Sequence, residues 1–165
     1  MEIRHAQRND LPAMLEIYRE ARAFMKANGN PNQWKDNRPS AEAIQKDIES
    51  GQSYLIFDGG VLCGAFSLIF GDDPTYALIE NGQWKSDLPY ATIHKIASFP
   101  GTHGVFSEII RFSEPKAQSL RIDTHPDNHI MQHLILKNGF EYCGNIYTDD
   151  GTLRYAYQKD LIKQN

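Results

Sequence analysis

Apolar residues along the chain follow two kinds of spacing, and each kind predicts a different element. Seven segments either alternate apolar and polar residues or form short apolar runs bounded by turn residues, which is typical of β-strands. Asp58-Gly59-Gly60 separates two of these segments and predicts a hairpin. The predicted strands are Glu2–Ala6, Ser53–Phe57, Val61–Phe70, Tyr90–Ala97, Ser119–Thr124, Phe140–Tyr147 and Leu153–Gln158.

Four other segments repeat their apolar residues every three or four positions, which is the spacing of one helix face. Asn9 or Asp10 can cap the first helix and Ser40 the second, because short polar side chains accept hydrogen bonds from the first free amides. The predicted helices run from Leu11 to the loop Asn28–Trp34, from Ser40 to Gly51, over Val105–Phe112, and from about Asn128 to Lys137.

The order of these elements predicts a mixed α/β fold (α+β) with a central sheet. The early strands follow one another through short turns and are expected to be antiparallel, whereas helices connect the later strands. We therefore expect a mixed sheet with helices on both faces. A chain of 165 residues has the usual length of one domain, so residues 1–165 are predicted to form a single domain.

Composition and charge exclude several classes of protein. Hydrophobic residues make up 41% of the chain and charged residues 23%, as in ordinary globular proteins. The net charge of -4 argues against a nucleic-acid binder, and the break at Asp58-Gly59-Gly60 argues against a membrane span. Cys63 and Cys143 belong to no disulfide or metal motif, and residues 1–25 lack a signal peptide, so we expect a cytoplasmic protein.

Histidines recur every four residues at His125, His129 and His133. The last two would share one helix face and could hold a metal ion between them. The zinc-protease motif, however, needs a glutamate directly after its first histidine, and Ile130 stands there instead. We therefore expect solvated helix histidines and no metal site, which leaves a metal-dependent hydrolase as the least favoured function.

The stretch SFPGTHGVFSEII, residues 98–110, links a predicted strand to a predicted helix through a turn with two glycines. The first amides of a helix have no partner within the helix, so such a turn often holds a phosphate group. The residues of the turn alone are compatible with an anion site and with a simple change of direction.

The segment RIDTHPDNHIMQHLILKNGFEYCG, residues 121–144, combines a strand, a polar turn, a cap at Asn128 and a helix that stops at Asn138-Gly139. An ordinary strand–helix–strand unit can have this composition. The order of its features, together with IRHAQRNDLPAMLEIY and GTLRYAYQK near the two ends of the chain, resembles the GNAT superfamily of acyl-CoA N-acyltransferases. The resemblance covers nearly the whole chain. It implies a single N-acetyltransferase-like domain with acetyl-CoA (coenzyme A) as co-substrate and no metal.

The resemblance also implies which residues would bind coenzyme A. Asn128 would line the pantetheine arm, and the strand backbone from Ile96 to Ser98 would hold it. The backbone amides of the glycine turn would bind the diphosphate, aided by the helix dipole. The amides that would bind the diphosphate are those of His103, Gly104, Val105, Phe106 and Ser107.

The glycine turn departs from the family pattern, which is Arg/Gln-x-x-Gly-x-Gly/Ala. Gly104 matches the first glycine, but Gly101 replaces the basic residue or glutamine, and Phe106 replaces the last small residue. The spacing of Val105, Phe106 and Ile109 is that of a buried helix face, so the Phe106 ring is expected to point into the core.

Acetyl transfer to an amine needs a base that removes a proton from the ammonium and an acid for the departing thiolate. His94 is the candidate base, because it lies on the strand that enters the glycine turn and histidines in general exchange protons near neutral pH. Glu80 is the second candidate. The tyrosine that serves as acid in the family is replaced by Ile135 here, so Tyr147 is considered as acid instead.

The long loop 71–89 contains an acid and two aromatic residues that could bind a cationic amine through charge and ring-face contacts. These residues are Glu80, Tyr76 and Trp84, and Trp34 could close the same pocket from the loop after the first helix. Each also has an ordinary interpretation, as a solvated acid or as a packed aromatic.

We therefore expect an N-acetyltransferase that moves an acetyl group from acetyl-CoA to a primary amine of a small molecule or peptide by direct attack. The alternative is a non-catalytic member of the same fold that binds acyl-CoA as a sensor, which the missing tyrosine and the altered turn favour. No nucleic acid or membrane is expected as a partner, and monomer and homodimer both stay open.

Overall fold

A seven-stranded mixed sheet lies at the centre of the computed structural model, which describes residues 1–161. All seven predicted strands are present, and their ends differ from the prediction by at most two residues. The strands are β1 (Glu2–His5), β2 (Ser53–Asp58), β3 (Val61–Phe70), β4 (Ala91–Ser98), β5 (Ser119–Thr124), β6 (Glu141–Tyr147) and β7 (Leu153–Asp160).

The strands lie in the order β1-β2-β3-β4-β5-β7-β6. Neighbouring strands are antiparallel except β4 and β5, which run parallel. The mixed sheet was predicted, but the insertion of β7 between β5 and β6 was not. The β6–β7 hairpin sets this order, because β7 pairs with β6 on one side and with β5 on the other.

The four predicted helices are also present, as α1 (Leu11–Ala27), α2 (Ala41–Glu49), α3 (Val105–Ser113) and α4 (His129–Lys137). Ser40 caps α2 and Asn128 caps α4, each accepting a hydrogen bond from the amide three residues on, at 3.1 and 3.0 Å. Asp10 occupies the cap position of α1 without capping it, because its carboxylate accepts a hydrogen bond from the amide of Gln7 instead.

The helices cover both faces of the sheet because alternate strand residues point to opposite sides. Leu55 of β2 faces α1 and α2, whereas the next residue, Ile56, faces α3 and α4. The first face buries Met14, Ile17, Tyr18, Ile44, Leu55 and Ala65, and the second buries Ile56, Phe66, Leu68, Ile93, Val105, Phe106, Ile109 and Ile135.

Strands β4 and β5 separate soon after they begin. They pair only through Ala91 with Leu120 and through Thr92 with Arg121. Further along, β4 contains a bulge in which two residues, Lys95 and Ile96, lie opposite one residue of β3. Lys95 there has a φ of 54°. A bulge bends a strand and takes a residue out of the ladder, so it supports the divergence that opens a cleft in the sheet.

Residues 1–161 form one domain around the mixed sheet that the order of elements predicted. The predicted boundary of 1–165 includes residues 162–165, which lie outside the described residues. Within residues 1–161, no helix combines the length and the apolar character needed to cross a membrane.

Candidate active site

The gap between β4 and β5 opens into a cavity of about 730 Å³. A smaller cavity of about 170 Å³ lies beside it, between the end of α1, the end of β4 and the start of α4. The two cavities adjoin, because four residues line both of them: Met25, Ile96, Asn128 and Met131. The larger one is called the main cavity below, and the smaller one the side cavity.

His94 and Asp73 form a hydrogen-bonded pair in the wall of the main cavity. The distance from His94 Nε2 to Asp73 Oδ2 is 2.9 Å. The other carboxylate oxygen of Asp73 accepts hydrogen bonds from the amide and hydroxyl of Thr75, at 2.9 and 2.7 Å. Burial alone would raise the pKa of Asp73, but the hydrogen bonds from His94 and Thr75 outweigh it and hold the pKa at about 2.

The low pKa of Asp73 determines the tautomer of His94. An ionised carboxylate can only accept hydrogen bonds, so Asp73 requires a proton on His94 Nε2. The neutral imidazole then carries its lone pair on Nδ1. The candidate base predicted from the sequence therefore has one nitrogen fixed by Asp73 and the other available for proton transfer.

Tyr76 connects this pair with a second acid in the cavity wall. Its hydroxyl donates a hydrogen bond of 2.6 Å to Asp123, and its ring centre lies 6.2 Å from that of His94. Tyr76 is only 2% exposed, and burial together with Asp123 raises its pKa well above the ordinary value. Tyr76 therefore stays protonated and acts as a donor to Asp123, which itself lines the cavity.

Of the aromatic residues predicted to bind substrate, Trp34 lines the main cavity, but Tyr76 and Trp84 are not part of its lining. The Trp84 indole donates to the backbone oxygen of Tyr76 at 2.9 Å, and its ring is covered by the Arg121 guanidinium at 3.9 Å. One face of the Trp84 ring thus already holds a cation of the protein itself. Trp34 packs edge-on against Tyr18, with ring centres 5.6 Å apart.

Glu80 and Tyr147 form a pair of their own, apart from His94. The backbone of Glu80 exchanges two hydrogen bonds with Asn145, at 2.9 and 2.7 Å, and the Glu80 carboxylate raises the pKa of Tyr147. Both side chains are exposed and neither belongs to the cavity lining, although Ile146 and Thr148 on either side of Tyr147 do.

The glycine turn leads directly into α3. Gly104 occupies the cap position with a φ of 79°, a left-handed backbone conformation that favours glycine. No side chain of the described residues caps α3, so its first amides remain available. Phe106 is 5% exposed and its ring packs in the core, which confirms the predicted orientation of the ring.

The histidine series lies at α4. His129 and His133 are exposed on the helix, and His125 Nδ1 accepts a hydrogen bond from the amide of Asp127 at 3.0 Å in the turn before it. Within residues 1–161, no three His, Cys, Asp or Glu side chains come together as metal ligands would.

The chain is similar to solved acetyltransferase structures over almost its whole length. An acetyltransferase of the GNAT family from Streptococcus agalactiae is 31% identical, with a TM-score of 0.89 over 98% of this chain and 96% of that chain. The chain belongs to the GNAT family of acetyltransferases. It is accordingly an acyltransferase, and the predicted family and fold are confirmed.

Two more distant structures share the GNAT fold. A GNAT-family acetyltransferase from Listeria monocytogenes is 21% identical, with a TM-score of 0.68 over 97% of this chain and 94% of that chain. The ribosomal-protein-S18-alanine N-acetyltransferase from Escherichia coli is 15% identical, with a TM-score of 0.65 over 99% and 96% of the two chains. No family model matches the sequence, and no curated protein sequence does.

GNAT acetyltransferases use acetyl-CoA as co-substrate, and the residues of the side cavity can be compared with those expected to bind it. Ile96, Ser98 and Asn128, the residues that the family resemblance assigns to the pantetheine arm, all line this cavity, and their role stays a prediction. Asn30 also lines it, is 3% exposed, and its Oδ1 has no partner among residues 1–161. The wall thus offers a buried acceptor to an amide N–H of a ligand.

Ile135 of α4 stands where the family resemblance places an acid tyrosine. Ile135, which stands at that position, is fully buried in the core. An isoleucine there can only pack, so proton delivery to the leaving thiolate needs another group or water.

Several charged residues of the main cavity were not singled out from the sequence, and Asp73, Asp123 and Arg154 are the ones that the proposals below use. Asp73 stands in a loop 21 residues before His94, and no local spacing connects the two. Arg154 could have been noticed because it lies inside the predicted strand Leu153–Gln158. A charged residue on a strand that packs in the fold is unusual and suggests a specific role.

Proposed function

We propose that this GNAT protein transfers an acetyl group from acetyl-CoA to a primary amine of a small molecule or peptide, with His94 as the general base. The observation that supports it best is the His94–Asp73 hydrogen bond of 2.9 Å in the wall of the cavity between β4 and β5. Acetyl-CoA, when bound, supplies an acetyl group that an amine nitrogen can attack directly.

The proposed binding of acetyl-CoA uses the side cavity and the glycine turn. Ile96, Ser98 and Asn128 would hold the pantetheine arm, and the Asn128 side chain is already fixed by a 2.9 Å hydrogen bond to Gln33 Oε1. The amides of residues 103–107 would bind the diphosphate, since the start of α3 is uncapped and carries the positive end of the helix dipole.

The proposed proton transfer begins at His94. A primary amine is largely protonated near neutral pH and must lose a proton before it can attack. His94 Nδ1 would accept this proton, and the Asp73 carboxylate would stabilise the imidazolium that results. Asp123, which lines the same cavity, would attract the substrate ammonium before that step.

The other roles predicted from the sequence stay predictions, and their support differs. They concern Tyr147, Glu80, Tyr76, Trp84 and Trp34. Trp34 lines the main cavity, so it remains a candidate contact of the acceptor. Tyr147 would reach the thiolate only from the rim, because its neighbours and not its own ring line the cavity. An alkyl thiol has a pKa of about 8.5, so its thiolate can leave with water as the proton source.

The proposal is tested by measuring coenzyme A binding and acetyl transfer separately. Coenzyme A at millimolar concentration should raise the melting temperature, because it binds only the folded protein. Thiol release from acetyl-CoA should then depend on an added primary amine. Binding without thiol release, across small amines and peptides with a free N-terminus, would favour the acyl-CoA sensor and contradict the proposed transfer. The absence of both binding and release would contradict the acetyl-CoA assignment.

A further inference from the structure

Arg154 is a buried arginine that lines the main cavity. It lies on β7 and is only 6% exposed. Its guanidinium donates hydrogen bonds to two backbone oxygens, at 3.0 Å to Leu153 and at 2.8 Å to Gln33. It forms no salt bridge with a carboxylate of residues 1–161. A guanidinium has five N–H donors, so this arginine keeps both charge and hydrogen-bonding capacity to offer.

The other cations of the same cavity are neutralised by the protein. Arg38 donates to Asp149 at 3.0 Å, and Lys95 donates to a carboxylate of α2 at 2.8 Å. His94 is paired with Asp73. Arg154 differs from these in having no carboxylate of residues 1–161 at salt-bridge distance. Burial lowers its pKa below the ordinary value, the nearby carboxylates of Asp123 and Asp150 oppose that shift in part, and arginines stay protonated in proteins. Burying an unpaired charge is costly, so an anion that enters the cavity would gain from meeting it.

Arg154 and Asp123 face the same side of the sheet. Asp123 of β5 lies opposite Ala156 of β7, and Arg154 is two residues from Ala156, so the pleat turns its side chain in the same direction. Both residues line the main cavity. The cavity therefore presents carboxylates at Asp73 and Asp123 and an unpaired guanidinium at Arg154.

We propose that the acceptor of this enzyme is a small amine that also carries a carboxylate, such as an amino acid, and that Arg154 binds this carboxylate. The inference rests on the proposed amine acetylation and specifies its substrate class. The acceptor ammonium is directed to the acidic side of the cavity, and its carboxylate receives charge-assisted hydrogen bonds from a planar donor that suits it. Arg154 also holds the loop after α1, because its guanidinium donates to the Gln33 carbonyl.

The test compares acceptors that differ only in the carboxylate. The pairs are L-alanine with ethylamine, L-leucine with isoamylamine, and γ-aminobutyrate with propylamine, and L-alaninamide keeps the size of alanine without its charge. The wild-type enzyme should prefer the carboxylated member of at least one pair by roughly ten- to hundredfold in kcat/KM, which corresponds to one charge-assisted interaction. Absence of any such preference overturns the proposal without the need for a variant.

Variants then locate the preference. Arg154→Gln should remove it, chiefly through a higher KM for the carboxylated acceptors, while Arg154→Lys should keep part of it. Arg38→Gln is the matched control, because Arg38 lines the same cavity but is already paired with Asp149. An equal loss for both members of each pair in Arg154→Gln and Arg154→Lys would show that Arg154 only holds the loop. The same selective loss in Arg38→Gln would show that the preference comes from the overall positive charge of the cavity and not from Arg154 in particular. Either result overturns the assignment.

Binding measurements separate this inference from the proposed function. Titration calorimetry with L-alanine, γ-aminobutyrate and ethylamine, on protein saturated with coenzyme A, needs no turnover. Carboxylated ligands that bind through Arg154 without ever being acetylated would support the anion site and contradict the acetyl transfer. Amines that are acetylated equally well with and without a carboxylate would support the transfer and contradict the anion site.

Discussion

Asp73 Oδ2 lies 2.9 Å from His94 Nε2, so the lone pair of the neutral imidazole is on Nδ1. The carboxylate is fixed on its other side by Thr75, and its backbone amide donates to the Tyr90 hydroxyl at 2.7 Å. The pair joins the loop after β3 to the middle of β4. This hydrogen bond therefore forms only in the folded protein. Because it involves Nε2, the candidate base is Nδ1 of His94.

Replacement of His94 by glutamine should lower kcat about a hundredfold, because general-base catalysis typically contributes that much or more. Affinity for coenzyme A should hardly change, since the residues proposed to bind it lie on the side cavity and the glycine turn. His133→Gln is the matched control, because it removes an exposed histidine of α4. Steady-state thiol release and calorimetric binding measure the two effects, and a His94→Gln enzyme with unchanged kcat would refute the role.

Asp73 should act as a positioning residue for this base. Asp73→Asn removes the negative charge that fixes the tautomer and stabilises the imidazolium, so kcat should fall by about ten- to a hundredfold. A merely structural role would lower kcat only through loss of folded protein. The decisive measurement is the pH dependence of the rate. The part of this profile that reflects protonation of the base should shift along the pH axis in Asp73→Asn. If the profile keeps its shape and position, the pairing has no catalytic effect.

The same carboxylate should make stability depend on pH in the acid range. The pKa of Asp73 is about 2 in the fold against an ordinary value of 3.8, so the unfolded chain binds this proton more tightly. The stabilisation is therefore complete above about pH 4 and is lost as the pH falls towards 2, an effect of about 2 kcal/mol. The free energy of unfolding is measured with urea at neutral pH and at about pH 3. It should change less between these two pH values for Asp73→Asn than for the wild type. Asp72→Asn, an exposed neighbour, should behave like the wild type.

The elements of this fold were predictable where a signal is local. Asp58-Gly59-Gly60 marks the β2–β3 hairpin and Ser40 marks the start of α2, because turn and cap residues act on amides only a few positions away. The inward position of the Phe106 ring followed from helical spacing for the same reason.

The site was less predictable because its contacts join distant parts of the chain. The Tyr76–Asp123 hydrogen bond spans 47 residues, and the Arg154–Gln33 hydrogen bond spans 121. No spacing rule connects such residues, because in each pair a loop residue meets a residue of a distant strand only in the folded protein. Trp84 illustrates the converse: its ring suggested a cation site, but the fold places Arg121 on it.

Gly104→Ala should separate backbone strain from ligand binding at the glycine turn. A Cβ at Gly104 would meet no atom within 4 Å, so the substitution causes no clash. The left-handed φ of 79° is nevertheless unfavourable for alanine and should lower the free energy of unfolding by about 1–2 kcal/mol. Gly151 has a φ of 80° and equally open surroundings in the β6–β7 turn. Gly151→Ala should therefore lose similar stability, but only Gly104→Ala should weaken coenzyme A binding. Equal affinities in the two variants would argue against diphosphate binding at this turn.

Phe106→Ala should destabilise the fold without improving coenzyme A binding. The ring is 5% exposed and packs with Ile109 and the face of the sheet that α3 covers, so its removal leaves a cavity and costs about 3–5 kcal/mol. Phe70→Ala is the matched control, because Phe70 is 52% exposed on β3 and its loss should cost far less. Urea unfolding measures both, and calorimetry at a temperature where both variants are folded measures affinity. Tighter coenzyme A binding by Phe106→Ala with unchanged stability would mean that the ring obstructs the ligand, contrary to its position in the core.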